Sequence, residues 1–209
     1  MPKKNCIIID HRNANISSLK NAVRRVSDCT CEVSSDIKKI QSADFLILPG
    51  VGAFGDSMKD LSDKNLVKVI QEQALKNKIP FLGICLGMQL LFDSSTEGGY
   101  NEGLSLIPGH VELMKLEDSF RVPHVGWNDI IFSNNEKIFD SLKHDKNFYF
   151  VHSYHAVCDE KYVIAKVNYS ENINAAVKNE NILGFQFHPE KSQENGMKLL
   201  NDFFKQEYF

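Results

Sequence analysis

The chain has 209 residues, 43% of them hydrophobic and 24% charged, and its 24 basic and 27 acidic side chains give a formal charge of -3. That length suits one domain with a sizeable core, and the near balance of charge makes no general case for nucleic acid or a membrane surface as a partner. Five cysteines, an odd number, argue against a disulfide framework.

Near the N-terminus, Lys3 and Lys4 precede only the short apolar run Cys6-Ile7-Ile8-Ile9. No secretory leader is expected there, and no stretch approaches membrane-span length, so a cytoplasmic location is expected. Asn5 to Asp10 reads as a first buried strand. Ile16, Leu19, Val23 and Val26 have helical spacing. Thr30 to Val33 and Ala43 to Leu48 read as strands, the second ended by Pro49-Gly50. Leu66, Val69, Ile70 and Ala74 form one stripe of a helix expected over Asn65 to Asn77. Ile79 to Ile84 is a central strand, followed at once by a helix from Leu86 to Phe92. This alternation predicts a parallel α/β sheet covered on both faces.

The second half changes character. Strands are expected at His110 to Leu116, Asp129 to Phe132, Phe148 to Val151, Val163 to Val167, Ala175 to Lys178 and Ile182 to Phe187, with few helices between them. Antiparallel additions to the sheet follow from that. Gly196 to Phe204 reads as a closing amphipathic helix. Nothing marks a linker or repeat, so one domain over 1–209 is expected.

Two short segments carry chemistry. Gly83-Ile84-Cys85-Leu86-Gly87 places a cysteine between glycines at a strand-to-helix turn, the form of a nucleophile elbow. A thiol there sits at a helix N-terminus, and the Leu86 N–H points toward a developing oxyanion. A buried structural cysteine is the competing reading. Phe187-His188-Pro189-Glu190 follows the last strand, so His188 can serve as a general base and Glu190 can fix its tautomer. The turn Pro49-Gly50-Val51-Gly52 follows the neighbouring strand and offers further backbone donors. Of the other cysteines, Cys6 and Cys158 read as packing, and Cys29 and Cys31 form a lone C-x-C with no second ligand pair, so no metal site is expected. His124 and His152 lie among aromatics, glycine or proline and hydroxyls, more like a pocket edge or interface than plain core. His110 and His144 read as solvated or structural.

Together these segments resemble the class I glutamine amidotransferases, and among them most nearly the glutaminase subunits of imidazole glycerol phosphate synthases. The matching blocks are Pro49 to Phe54, Gly83 to Phe92, Val122 to Asn128, Tyr149 to Tyr154 and Gly184 to Ser192. The resemblance implies a flavodoxin-like α/β fold with a central, mostly parallel sheet. It implies that Cys85 attacks the side-chain amide of glutamine, that His188 shuttles the proton and that Glu190 orients His188. Leu86, with Gly50, Val51 and Gly52 after a peptide rearrangement, would form the oxyanion hole. Gln89 and Glu97 match positions that hold the charged end of glutamine, and Ser153 and Tyr154 match backbone contacts to it. A (β/α)8-barrel partner would receive the ammonia through a channel, with Asn15, Trp127, Tyr149 and Lys191 at that interface and gate. No metal, nucleotide or organic cofactor is required.

The first loop departs from the family pattern. A Tyr-Gly-x-Gly-Asn segment is usual there, whereas this chain has His11-Arg12-Asn13-Ala14-Asn15. The triad is untouched, but the ammonia acceptor has an alternative: the same chemistry feeding a sugar-modifying amidotransferase of surface-polysaccharide synthesis. A γ-glutamyl hydrolase or cysteine peptidase using the same triad would need a more open cleft, and an inactive scaffold subunit would be expected to lack a triad member.

Overall fold

The computed structural model describes residues 3–11, 16–117, 119–132, 136–142 and 146–206. The first half alternates strand and helix: β1 (Asn5–Ile9), α1 (Ile16–Val26), β2 (Thr30–Ser34), α2 (Ile37–Gln41), β3 (Phe45–Leu48), α3 (Phe54–Asp63), α4 (Val67–Gln71), β4 (Phe81–Ile84) and the single-turn α5 (Leu86–Gln89). The second half is mainly strand: β5 (Ser94–Ser95), β6 (Asn101–Glu102), β7 (His110–Leu113), β8 (His124–Phe132), β9 (Asn147–His152), β10 (Tyr154–Val157), β11 (Val163–Tyr169), β12 (Glu171–Asn179) and β13 (Ile182–Phe185), closed by α6 (Gln193–Lys205).

Nine strands form one sheet in the order β2-β1-β3-β4-β13-β12-β11-β8-β9. Pairing is parallel from β2 through β13 and antiparallel from β13 to β9. The parallel part has the flavodoxin-like order in which ligands gather at the carboxyl ends of the strands. A second sheet, β10-β7-β5-β6, stands beside it.

The strands of the parallel part are buried on both faces, so they read as continuous apolar runs rather than alternating ones. Ile8, Phe45 and Ile47 pack with Leu19 and Val23 of α1 and Leu199 and Phe203 of α6. Ile7, Leu46 and Leu48 face the other way, onto Leu61 of α3 and Ile70 of α4. Each such side chain contributes about 1.5–3 kcal/mol by leaving water.

Two helices differ from the sequence expectation. The one expected over Asn65 to Asn77 is α4 followed by a π-helical turn at Glu72–Lys76. The buried Asn181 amide donates to Ala74 O at 2.9 Å and Ile79 O at 2.8 Å, taking up carbonyls at this widened end. The one expected over Leu86 to Phe92 is α-helical only to Gln89, because the chain turns back there: Gly103, Leu104 and Leu106 donate to Asp93, Leu90 and Leu91 carbonyls. Among the described residues no helix is long and apolar enough to cross a membrane.

Candidate active site

Three adjacent strands of the parallel part end at one place. β3 runs into Pro49-Gly50-Val51-Gly52, β4 into Cys85, and β13 into Gln186-Phe187-His188. The chain reverses sharply at Cys85, which has φ 55 and ψ -113. Two contacts hold this turn. Cys85 N–H donates to Phe185 O at 2.7 Å, and Cys85 O accepts from Met88 and Gln89 N–H at 3.0 and 3.2 Å. The flanking glycines are there for space. A Cβ on Gly87 would lie 1.8 Å from Leu48 O, and one on Gly83 would lie 2.6 Å from Gly87 O. The elbow is thus pressed against the end of β3. With α5 only one turn long, its macrodipole is small, and the cationic group that interacts with the sulfur is the imidazole of His188.

His188 Nδ1 lies 2.8 Å from Glu190 Oε1, and both side chains are almost fully buried. A carboxylate only accepts, so Nδ1 carries the proton and Nε2 is turned toward Cys85. Burial alone would lower the His188 pKa. The Cys85 sulfur and the Glu190 carboxylate outweigh it and raise the pKa to about 10. Nε2 itself makes no well-aligned hydrogen bond among the described residues. The thiol of Cys85 faces the Val151 carbonyl at 3.7 Å instead. The backbone around the pair is fixed by Ser192, whose hydroxyl donates to His188 O at 2.6 Å and accepts from Tyr149 N–H at 3.0 Å.

Cys85 opens onto a cavity of about 330 Å3 whose walls include Val51, Gly52, Leu86, Gln89, Glu97 and Ser153. Gln89 Nε2 donates to Tyr154 O at 2.8 Å and to Gln186 Oε1 at 2.9 Å, so both its hydrogens are committed and Oε1 is left to accept from a ligand. Glu97 Oε2 accepts from Phe54 N–H at 2.8 Å, capping α3 where Ala53 cannot. Glu97 also lines the cavity, where its negative charge suits a cation. Tyr154 also lines the cavity. Gln186 went unnoticed in the sequence. It is fully buried, and its Nε2 reaches Cys85 Sγ at 3.9 Å. A polar residue between Phe185 and Phe187 at the end of a buried strand was the available signal.

The Gly50 turn lies against the elbow, since a Cβ on Gly50 would meet Leu86 Cβ at 3.0 Å and Gly87 N at 3.1 Å. Gly52 has φ 95. His11, at the end of β1, is buried and its Nε2 hydrogen bonds with Pro49 O; burial lowers its pKa. The unusual first loop therefore begins with a side chain that touches the Gly50 turn. Arg12 to Asn15 lie outside the described residues, Asn15 among them.

Three of the residues expected at a partner face meet on one surface. Trp127 and Tyr149 rings stack edge-on at 5.9 Å, and Lys191 Nζ lies 5.7 Å from the centre of the Tyr149 ring. Trp127 is 45% exposed, so it is not core, and Val125 and Ile131 on the same side of β8 are exposed as well.

Residues 7–207 match the family model described as glutamine amidotransferase class-I. The chain belongs to the class-I glutamine amidotransferase family. This amidotransferase is 49% identical over 197 residues to the imidazole glycerol phosphate synthase subunit HisH 2 of Vibrio vulnificus, covering 94% of this chain and 92% of that one. It is 45% identical over 198 residues to imidazole glycerol phosphate synthase subunit HisH of Aquifex aeolicus, covering 94% of each. Among solved structures, PurLQS from Thermotoga maritima shares the fold of this amidotransferase, with a TM-score of 0.70 at 18% identity over 98% of this chain and 99% of that one.

Proposed function

We propose that this chain is the glutaminase subunit of an imidazole glycerol phosphate synthase in histidine biosynthesis, hydrolysing L-glutamine to glutamate and ammonia. The observation that carries the chemistry is the strained Cys85 elbow opening onto the cavity beside the buried His188–Glu190 pair. The identity of 49% and 45% to relatives bearing that subunit's name, over 94% of the chain in each case, supports the pathway.

In the proposed reaction His188 Nε2 already holds the proton taken from the Cys85 thiol, and Cys85 Sγ attacks the side-chain amide carbon of glutamine. Leu86 N–H, with a donor from the Gly50–Gly52 turn, takes the charge on the amide oxygen. His188 gives the proton to the departing nitrogen as the C–N bond breaks, releasing ammonia and leaving a γ-glutamyl thioester. Water then attacks the thioester with His188 as base, and the sulfur leaves, completing glutamate. Glu97 and Gln89 Oε1 are suited to the substrate ammonium, and backbone groups at Ser153 and Tyr154 to its other end. Tyr154 O already accepts from two protein donors, so that strand would serve the substrate through N–H groups.

Ammonia must stay unprotonated until it meets its acceptor. A (β/α)8-barrel synthase seated on the Trp127–Tyr149–Lys191 face is the proposed partner, with ammonia passing through a channel. No metal or organic cofactor enters this half-reaction. Cys85→Ala is expected to lower glutamine-dependent turnover of the complex by about 10^4-fold while activity from added ammonium salt persists. Unchanged glutamine hydrolysis would sink the assigned nucleophile. Affinity capture of the partner decides the acceptor, and a sugar-modifying enzyme in place of a barrel synthase would overturn the pathway.

A further inference from the structure

A second set of buried histidines adjoins the cavity: His152 is part of its wall, and His124 packs against His152. β8 and β9 pair antiparallel with His124 opposite His152, and both rings are buried. His152 Nδ1 lies 2.9 Å from Tyr154 O. A carbonyl oxygen only accepts, so Nδ1 of His152 carries a proton and its Nε2 is a bare acceptor. His124 Nδ1, 3.1 Å from that Nε2, must then be protonated and donate to it. The remaining His124 Nε2 faces Asn128 Nδ2 at 3.4 Å, which donates to it. Every tautomer in the chain is fixed by the carbonyl at its end. Burial holds His124 and His152 neutral, with pKa values near 4 and 3. The His124 ring is also clamped between Phe150 and Tyr169, with centroids 4.8 and 3.9 Å away.

The chain of donors ends on the atom that also holds Gln89. Tyr154 O receives His152 Nδ1–H from one side and Gln89 Nε2–H from the other. We propose that His124 and His152 are positioning residues of the glutamine site, holding the Tyr154 carbonyl and through it the Gln89 amide, so that Gln89 presents Oε1 to the substrate ammonium. The inference rests on the glutaminase reading above. Neither histidine serves the proton transfers there, which use His188.

The test compares His152→Phe, His152→Asn and His124→Phe in the complex with its partner, measuring KM and kcat for L-glutamine. His152→Phe fills the space but gives Tyr154 O no donor, and KM is expected to rise about tenfold with kcat changed less. His152→Asn places an amide N–H near the position of Nδ1 and is expected to recover most of that KM. His124→Phe keeps the stacking and removes only the bond to His152, so its KM is expected to fall between the two. A purely structural role would lower the active fraction, and so apparent kcat, while leaving KM alone. Unchanged KM in a cooperatively folded His152→Phe overturns the proposal. Should that variant not fold, unchanged KM in His124→Phe does the same. No glutamine turnover by the unsubstituted complex would instead overturn the glutaminase reading itself.

Discussion

A non-glycine residue at the backbone angles of Cys85 carries strain of about 1–3 kcal/mol, and the neighbours that impose it can be named. Gly87 lies so near β3 that a methyl group there would overlap the Leu48 carbonyl, at 1.8 Å. Gly87→Ala is therefore expected to destabilise the fold by about 3 kcal/mol, read as a lower urea midpoint with an unchanged m-value. His188 gives a second residue-scale prediction. Its folded pKa of about 10 stands above the ordinary 6.5 because of the sulfur and Glu190. The stabilisation from this pair is thus fully present below pH 6.5 and is lost as pH rises through 10. Glu190→Gln is expected to lower the His188 pKa, followed by NMR of the imidazole, and to shrink the loss of stability between those two pH values. A His188 titration unmoved by that substitution would contradict the role given to Glu190.

At the scale of elements, β8 separates two tasks by alternation. Val125, Trp127 and Ile131 point outward, while His124 and Asn128 face the other side, where His124 meets His152. An aromatic exposed at the centre of such a face is the usual anchor of an interface. Trp127→Ala is expected to weaken the complex with the proposed barrel partner by about 2 kcal/mol, a roughly 30-fold rise in Kd by calorimetry. Elements differed in how readable they were. Cys85 and His188 were legible as strand-end residues because each stands in a short segment of consecutive residues, Gly83 to Gly87 and Phe187 to Glu190, that carries its own pattern. α3 was not, because its buried side is Phe54, Ser57 and Leu61, with a small polar residue inside the stripe, and its cap comes from Glu97, 43 positions away. The His124–His152 contact depends on the register of two strands 28 residues apart, which local pattern does not specify. Gln186 was hidden for a related reason: its partners, Cys85 and Gln89, lie about a hundred positions earlier.

For the whole molecule, buried neutral histidines tie stability to pH. His124 and His152 have folded pKa values of about 4 and 3, below the ordinary 6.5. The unfolded chain therefore binds more protons in this range, and stability falls as pH drops from 6.5 toward those values. Each contributes a slope of about 1.4 kcal/mol per pH unit there. His124→Phe is expected to flatten the dependence of urea stability on pH between 6 and 4.5 by about that amount. An unchanged slope would mean that His124 is protonated in the folded protein. The parallel α/β half and the antiparallel additions were both foreseeable from the change in strand spacing. The small β10-β7-β5-β6 sheet was not, since two of its strands have only two residues each.

The order of the large sheet also bears on when the protein becomes competent during its own synthesis. β13, comprising Ile182–Phe185, is the last strand made, yet it fills the position between β4 and β12. A nascent chain that has emerged as far as β12 holds its thiol at the end of β4 but has neither the strand that accepts the Cys85 N–H bond nor the histidine beyond it. The middle of the sheet closes only when some nine-tenths of the chain is available, and long-range closure of this kind is slow. Until then the β4 edge is an open strand that a folding helper, or a second nascent chain, can reach. Cys85 on a growing chain therefore lacks both the Phe185 carbonyl and the His188 ring until β13 and the residues after it have been made.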